Sequence, residues 1–191
     1  MTTGLTAPFG SFDQIWPAAA VPDRLAAPVA AALAAWAGAE PVDAVLLVDT
    51  DPAKADTAVF CETYQVPLDA SANCVLVAAR RGETTTLAAC LVLATTRLDV
   101  NRAVRKHLGA RKASFAPMDV AVERSGMEYG GITPIGLPAD WPLLIDPAVA
   151  AAPHVIIGSG LRRGKLLLPG RYLATLPGAE IVPDLATPQD S

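Results

Sequence analysis

Cys74 to Thr96 reads CVLVAARRGETTTLAACLVLATT. Two apolar runs, Cys74 to Ala79 and Thr84 to Thr96, flank the polar Arg80-Arg81-Gly82-Glu83, the pattern of a hairpin whose antiparallel strands are buried on at least one face. Upstream, Asp23 can cap a helix to about Trp36, with Pro28 tolerable only in its first turn and Gly38 as its stop. Val42 to Val48 predicts a strand, and Asp51-Pro52 starts a second helix through about Tyr64, ended by Val66-Pro67. Downstream, Asp99 can cap a helix whose apolar positions are Val100, Val104, His107 and Leu108, with Gly109 as its stop. A strand at Lys112 to Phe115 and a helix from Pro117 to Arg124 follow. Leu143 to Ile145 and Val155 to Ile157 read as core strands around a short alanine-rich helix. Lys165 to Leu168 is another strand, Arg171 to Leu176 a short helix, and Ile181-Val182 a final edge strand. These elements lack a regular βαβ rhythm, which favours an α+β fold with a mixed, largely antiparallel sheet surrounded by helices. Residues 1–40 read as an N-terminal extension packing on the domain, and residues 41–191 as one globular unit.

The chain has 191 residues, 52% hydrophobic and 18% charged. That is ample for a buried core and unlike a disordered chain. Aromatic content is 5%, so the core rests on Ala, Val, Leu and Ile. No run approaches the roughly 20 apolar residues of a membrane span, and the first residues do not resemble a signal peptide. Cys61, Cys74 and Cys90 form no CxxC pair, and only His107 and His154 are present. A disulfide framework, a metal centre or a cofactor site is therefore not expected, and a reducing cytoplasm is the expected location.

The net charge of -4 is unevenly spread. Residues 1–70 carry nine acids against two bases, whereas residues 97–112 carry six bases against Asp99 alone. A second basic cluster comprises Arg162, Arg163, Lys165 and Arg171. Such clusters suit a phosphate-bearing partner, and they equally suit solvated surface.

Catalytic side chains are not obvious. No GxSxG elbow, Walker loop or dinucleotide fingerprint occurs. His107 reads as a core or boundary residue and Ser159 as part of a Gly-Ser-Gly turn. Cys61 and Cys90 read as small core residues. The segment GMEYGGITPIGLPADWP, residues 126–142, is more informative. Adjacent glycines permit close backbone approach, while Pro134 biases Thr133 toward an extended conformation. Such a pinned loop either makes a tight structural turn or presents backbone groups to a ligand or a developing oxyanion.

This segment, with Leu137-Pro138, Asp146, the stretch Gly158-Ser159-Gly160-Leu161-Arg162-Arg163-Gly164 and the basic helix after Leu98-Asp99, resembles the YbaK family. These are the aminoacyl-tRNA editing domains found attached to, or free-standing beside, prolyl-tRNA synthetases. The resemblance spans about residues 53 to 183. It implies an α+β fold with one pocket, a metal-free and cofactor-free deacylase, and the acceptor end of aminoacyl-tRNA as partner, with a synthetase as a further partner. On that likeness Gly130, Gly131, Ile132, Thr133 and Pro134 would hold the aminoacyl group and terminal ribose, with Gly131 and Thr133 nearest the chemistry. Asp146, Gly158, Ser159 and Gly160 would complete the substrate site, and Arg102, Arg105, Lys106, Arg162, Arg163 and Lys165 would meet tRNA phosphates.

One departure stands out. Family members usually carry a lysine at the start of the first central strand, where Asn73 or, after a one-residue slip, Ala72 falls here. Asn73 can donate a hydrogen bond but brings no charge. Arg80 and Arg81 lie about 20 Å or more along the strand at ~3.3 Å per residue. Two readings follow: a deacylase using Asn73 as its polar group, or a catalytically silent protein that keeps the pocket for an aminoacyl or nucleotide ligand or a synthetase. A Cys74 nucleophile is a third, weaker option, since no histidine lies near it in sequence.

Overall fold

The computed structural model describes residues 5–36 and 40–189, so Gly38 lies outside the described residues. Its strands in chain order are β1 (Ile15–Pro17), β2 (Leu46–Asp49), β3 (Ala72–Arg81), β4 (Thr84–Leu93), β5 (Thr96–Leu98), β6 (Lys112–Phe115), β7 (Leu143–Ile145), β8 (Val155–Gly158), β9 (Gly164–Leu168), β10 (Ala179–Ile181) and β11 (Ala186–Pro188). The helices are α1 (Ala27–Ala34), α2 (Thr57–Tyr64), α3 (Arg105–His107), α4 (Met118–Ser125), α5 (Pro147–Ala151) and α6 (Gly170–Leu173).

The hairpin pairs in register from Ala72 opposite Leu93 to Arg81 opposite Thr84. Every residue of β4 from Leu87 to Leu93 is buried, because both faces of this strand are covered. Leu87, Ala89, Leu91 and Leu93 join the main core with Ile145 and Leu166. Cys90 and Val92 face a second core with Leu98, Val104, Leu144 and Leu185. A strand covered on both sides needs a continuous apolar run, which is how this segment reads.

The strands form a five-stranded sheet, β10-β7-β4-β3-β6, a four-stranded sheet, β1-β2-β9-β8, and a β5-β11 ribbon. β7 is parallel to both β4 and β10, and the remaining pairings are antiparallel. A parallel bridge between Ser71 and Ile156 links the two larger sheets. The fold is thus α+β, mixed and largely antiparallel, with the strands divided between two sheets and a ribbon.

Boundaries differ from the sequence expectation where local chemistry outweighs hydrophobic pattern. Asp23 sits in a 3-10 turn (Pro22–Arg24), and α1 begins after Ala26 without a side-chain cap. Val42–Ala44 is a 3-10 turn rather than strand. Asp51 does act as a cap, accepting from the Ala53 amide at 2.9 Å. It caps the 3-10 turn Pro52–Lys54, while α2 starts separately at Thr57. Asp99 accepts from the Arg102 amide at 3.0 Å, but the turn it opens, Val100–Val104, is π-helical. The wider turn rotates His107 off the apolar stripe, and its Nε2 meets Glu180 Oε2 at 2.9 Å near the surface.

The described part of residues 1–40 packs intimately on the rest. β1 pairs with β2, covering what would otherwise be a free sheet edge. Val29 and Leu33 enter the main core, and Arg171 Nε donates to Glu40 Oε1 at 3.0 Å.

Candidate functional site

The Gly130–Ile132 bend leads directly to a cleft of about 430 Å³. One wall is Ala72 to Leu76 of β3. Another is Gly130 and Ile132, backed by Gly158 at the end of β8. Ala55 and Thr57 at the start of α2 form a third side, with Lys165 of β9 beside them, and Phe115, Met118 and Tyr129 surround the mouth. These last three are exposed by 66%, 58% and 59%, so large apolar side chains stand in solvent around one opening.

Backbone packing fixes the bend. Gly131 N–H donates to the Glu128 carbonyl at 2.9 Å, and the Gly131 carbonyl accepts from Gly160 N–H at 2.7 Å. A Cβ on Gly131 would lie 2.7–2.9 Å from the Leu161 backbone, and one on Gly158 would lie 2.4 Å from the Gly131 oxygen and 2.6 Å from the Ile132 oxygen. Only glycine lets the two main chains come this close. The amides of Gly130 and Ile132, two residues of the cleft lining, have no hydrogen-bond partner among the described residues.

Asn73 is half-buried in the wall. The Thr57 hydroxyl donates to its Oδ1 at 2.8 Å, which orients the side chain and leaves its NH2 group as a donor. Cys74 lines the same wall. Burial, with the neighbouring Cys90 adding to it, pushes its thiol pKa well up, so thiolate chemistry is disfavoured there.

Of the residues singled out from sequence, Ala72, Asn73, Cys74, Gly130, Ile132, Gly158 and Lys165 line this cleft. The other residues proposed for the substrate site lie elsewhere. Gly131 is packed behind the wall, and Thr133 is fully buried with its hydroxyl unpartnered. Pro134 faces a separate apolar hollow with Trp36 and Trp141. Asp146 caps α5, its Oδ1 accepting from the Ala148 amide at 2.9 Å. The fully buried Ser159 hydroxyl lies 2.9 Å from the Gly164 carbonyl and 3.2 Å from that of Leu161, which braces the turn. A Cβ on Gly160 would strike Ala26 Cβ at 2.4 Å.

The basic residues divide similarly. The Arg162 guanidinium donates to the Pro52 carbonyl through Nε and Nη2 at 3.3 and 3.1 Å, and to the Tyr129 carbonyl at 3.3 Å. It straps two sides of the cleft together. Arg163 is exposed beside Asp13, Asp49 and Asp51. Arg102 and Lys106 border an open hollow with His107 and Asp184, and Arg105 Nε donates to the Asn101 carbonyl at 2.8 Å. A neighbouring hollow contains Arg97 and Asn101 and shares Phe115 with the cleft.

Sequence reasoning places Lys165 with the phosphate-facing bases, yet it is half-buried, with Nζ 3.4 Å from the Ala55 carbonyl and 5.2 Å from the centre of the Phe60 ring. Burial lowers its pKa, and the Arg162 charge adds to that, while Cys61 and Asp56 oppose it. At neutral pH both folded and unfolded chains carry the proton, and the folded state bears the desolvation cost. As pH rises through the lowered folded-state pKa toward the ordinary lysine value, the folded state sheds its proton first and stability rises. Burial raises the thiol pKa of Cys61, Cys74 and Cys90, which lose stability over the same pH range, so the lysine share is read as a difference. Between pH 7 and pH 10 urea unfolding should show a larger loss in Lys165→Met than in the native chain. An equal change in both would remove Lys165 as a source of pH dependence.

Among the described residues no group of three or more His, Cys, Asp or Glu is placed to hold a metal ion, and no helix is long and apolar enough to cross a membrane. The arrangement is that of a small-ligand site, with apolar walls, a few fixed polar groups and backbone donors on a rigid bend. The chain belongs to the aminoacyl-tRNA editing domain family, whose model matches residues 51–176.

Two solved structures share the fold. Hypothetical protein APE2540 gives a TM-score of 0.65 at 20% identity, covering 74% of this chain and 90% of that one. A candidate trans-editing enzyme for prolyl tRNA synthetase gives 0.69 at 18% identity, covering 83% and 94%. These identities speak to fold alone. A comparison with curated proteins found no match.

Proposed function

We propose that the protein is an aminoacyl-tRNA deacylase that hydrolyses the ester of a mischarged tRNA in this cleft. The observation that carries the reading is the meeting of Asn73 with the unpartnered Gly130 and Ile132 amides around one apolar-walled cavity, inside the segment that matches the editing family. Water attacks the acyl carbonyl, and the bond to the ribose oxygen breaks. That oxygen takes a proton originating from the water, and free amino acid and tRNA leave. Fixed N–H donors stabilise the oxygen on which charge develops, which requires no strong base. Alanine and branched aliphatic walls admit small side chains and exclude those too large for the cavity.

Phe115 and Tyr129 at the mouth offer faces on which a terminal base can stack, and in this reading Arg102, Arg105 and Lys106 would meet phosphates of the acceptor stem. Replacing Arg102 and Lys106 with glutamine should flatten the dependence of log K for tRNA on log salt by about 0.7–0.9 for each phosphate no longer neutralised. An unchanged slope would remove this face from the tRNA path.

The reading is tested by incubating the protein with tRNAs charged with non-cognate amino acids and following ester loss. Binding without ester loss from any member would favour instead a catalytically silent protein that keeps the pocket.

A further inference from the structure

The cleft contains one cationic side chain among the described residues that line it, Lys165. Its position is unusual for a lysine. β9 lies between β2 and β8 in its sheet, and the rest of the strand, Gly164 and Leu166 to Leu168, is buried. No carboxylate lies within ion-pair distance of Nζ among the described residues. Its one polar contact there is the Ala55 carbonyl at 3.4 Å, and the Phe60 ring receives the ammonium at 5.2 Å. An ammonium has three N–H groups to satisfy, and a partly desolvated charge whose nearest acid in the cleft lining, Asp56, stays beyond ion-pair distance is costly to a fold. Groups held in this way cluster where a ligand completes the arrangement. The open direction is the cleft, where the Asn73 amide and the Gly130–Ile132 bend also converge.

We propose that Lys165 is the substrate-facing ammonium of this cleft, bonding an oxygen of the aminoacyl ester or of the adjoining terminal nucleotide. The proposal rests on the deacylase reading for its substrate. The cation reaches the site from β9, which borders the same cleft as Asn73, so the uncharged Asn73 does not leave the pocket without positive charge. In this role Lys165 is a partner of the backbone donors, adding a full charge where they supply partial ones. The Phe60 ring holds the ammonium from one side, which limits the ordering cost on binding.

The test compares the native chain with Lys165→Met, Lys165→Gln and the double variant Asn73→Lys/Lys165→Met. Two readouts are used: ester hydrolysis across the mischarged tRNA panel, and binding of the non-hydrolysable 3′-amide analogue of alanyl-adenosine. Both single variants should unfold at or above the native midpoint, since a costly buried charge is gone. They should lose about a hundredfold in kcat/KM, the scale of removing one oxyanion-type donor, and about tenfold in affinity for the amide. The double variant, which returns an ammonium from β3, should regain about tenfold of the lost rate. Single variants that fold and remain within about threefold of native in both readouts would overturn the proposal. If the native chain hydrolyses no ester, the deacylase reading fails by itself, and the amide titration still decides the role of Lys165: weakened binding in both single variants supports it, and native affinity overturns it.

Discussion

Gly158→Ala is expected to lower kcat/KM for ester hydrolysis about a hundredfold, the scale of a misplacement near 1 Å in a positioned site. It should also destabilise the fold by about 1–3 kcal/mol, as overpacking does. The new Cβ would lie 2.4 Å from the Gly131 oxygen and 2.6 Å from the Ile132 oxygen, and both are backbone atoms that no rotamer change can move. The Gly131 oxygen is already held by Gly160 N–H at 2.7 Å, and Gly131 N–H by the Glu128 carbonyl at 2.9 Å. The strain therefore pushes the whole bend into the cleft and misaims the Gly130 and Ile132 amides. Thermal unfolding should register a fall of about 2–4 °C for each kcal/mol in a chain of this size. A native midpoint together with a native rate would mean that the bend does not set the site geometry.

Arg162→Ala separates two roles for one residue. From sequence it joins the phosphate-binding bases, but its guanidinium is committed to the carbonyls of Pro52 and Tyr129. Its main-chain N–H to Glu128 Oε2, at 2.7 Å, survives the substitution, so the Gly158–Gly164 turn should stay in place. Loss of the strap should loosen the two flanks of the cleft and lower kcat/KM by about ten- to a hundredfold, with the salt dependence of tRNA binding unchanged. Arg162→Lys should recover little, because an ammonium cannot reproduce the planar fork that spans two carbonyls. A salt slope reduced by about 0.7–0.9 with a native rate would instead make Arg162 a phosphate ligand.

Much of the architecture is legible where a single period or a single strong cap governs. The hairpin is the clearest case, because seven successive buried residues in β4, Leu87 to Leu93, leave no other reading than a strand covered on both faces. Asp51 and Asp99 cap as their chemistry suggests, although the turns that follow are 3-10 and π rather than simple α-helix. A cap fixes where a turn begins and does not fix its pitch. Asp23 fails as the start of α1 because Pro22 and Pro28 divide that stretch into a 3-10 turn and a later helix.

The site is only half legible. The glycines of residues 130–136 mark a bend that needs close backbone approach, and Gly130 and Ile132 do reach the cleft. Which half of the bend faces inward depends on Gly158 and Leu161, some thirty residues away, so no local pattern reveals it. Lys165 groups with its basic neighbours Arg162 and Arg163 because charge runs read as surface. A signal is nevertheless present in Lys165-Leu166-Leu167-Leu168: a lysine opening an otherwise apolar strand between two other strands has few routes to solvent. Its place in the cleft is set by contacts far off in sequence, with the Ala55 carbonyl and with Phe60 of α2.

The most direct measurement of the central claim is single-turnover ester loss from mischarged tRNAs, with the native protein in excess and buffer alone as reference. The account predicts release of a small amino acid from at least one tRNA well above the uncatalysed rate, with Gly158→Ala about a hundredfold slower on the same tRNA. Ester lifetimes equal to those in buffer for every tRNA tested would contradict it.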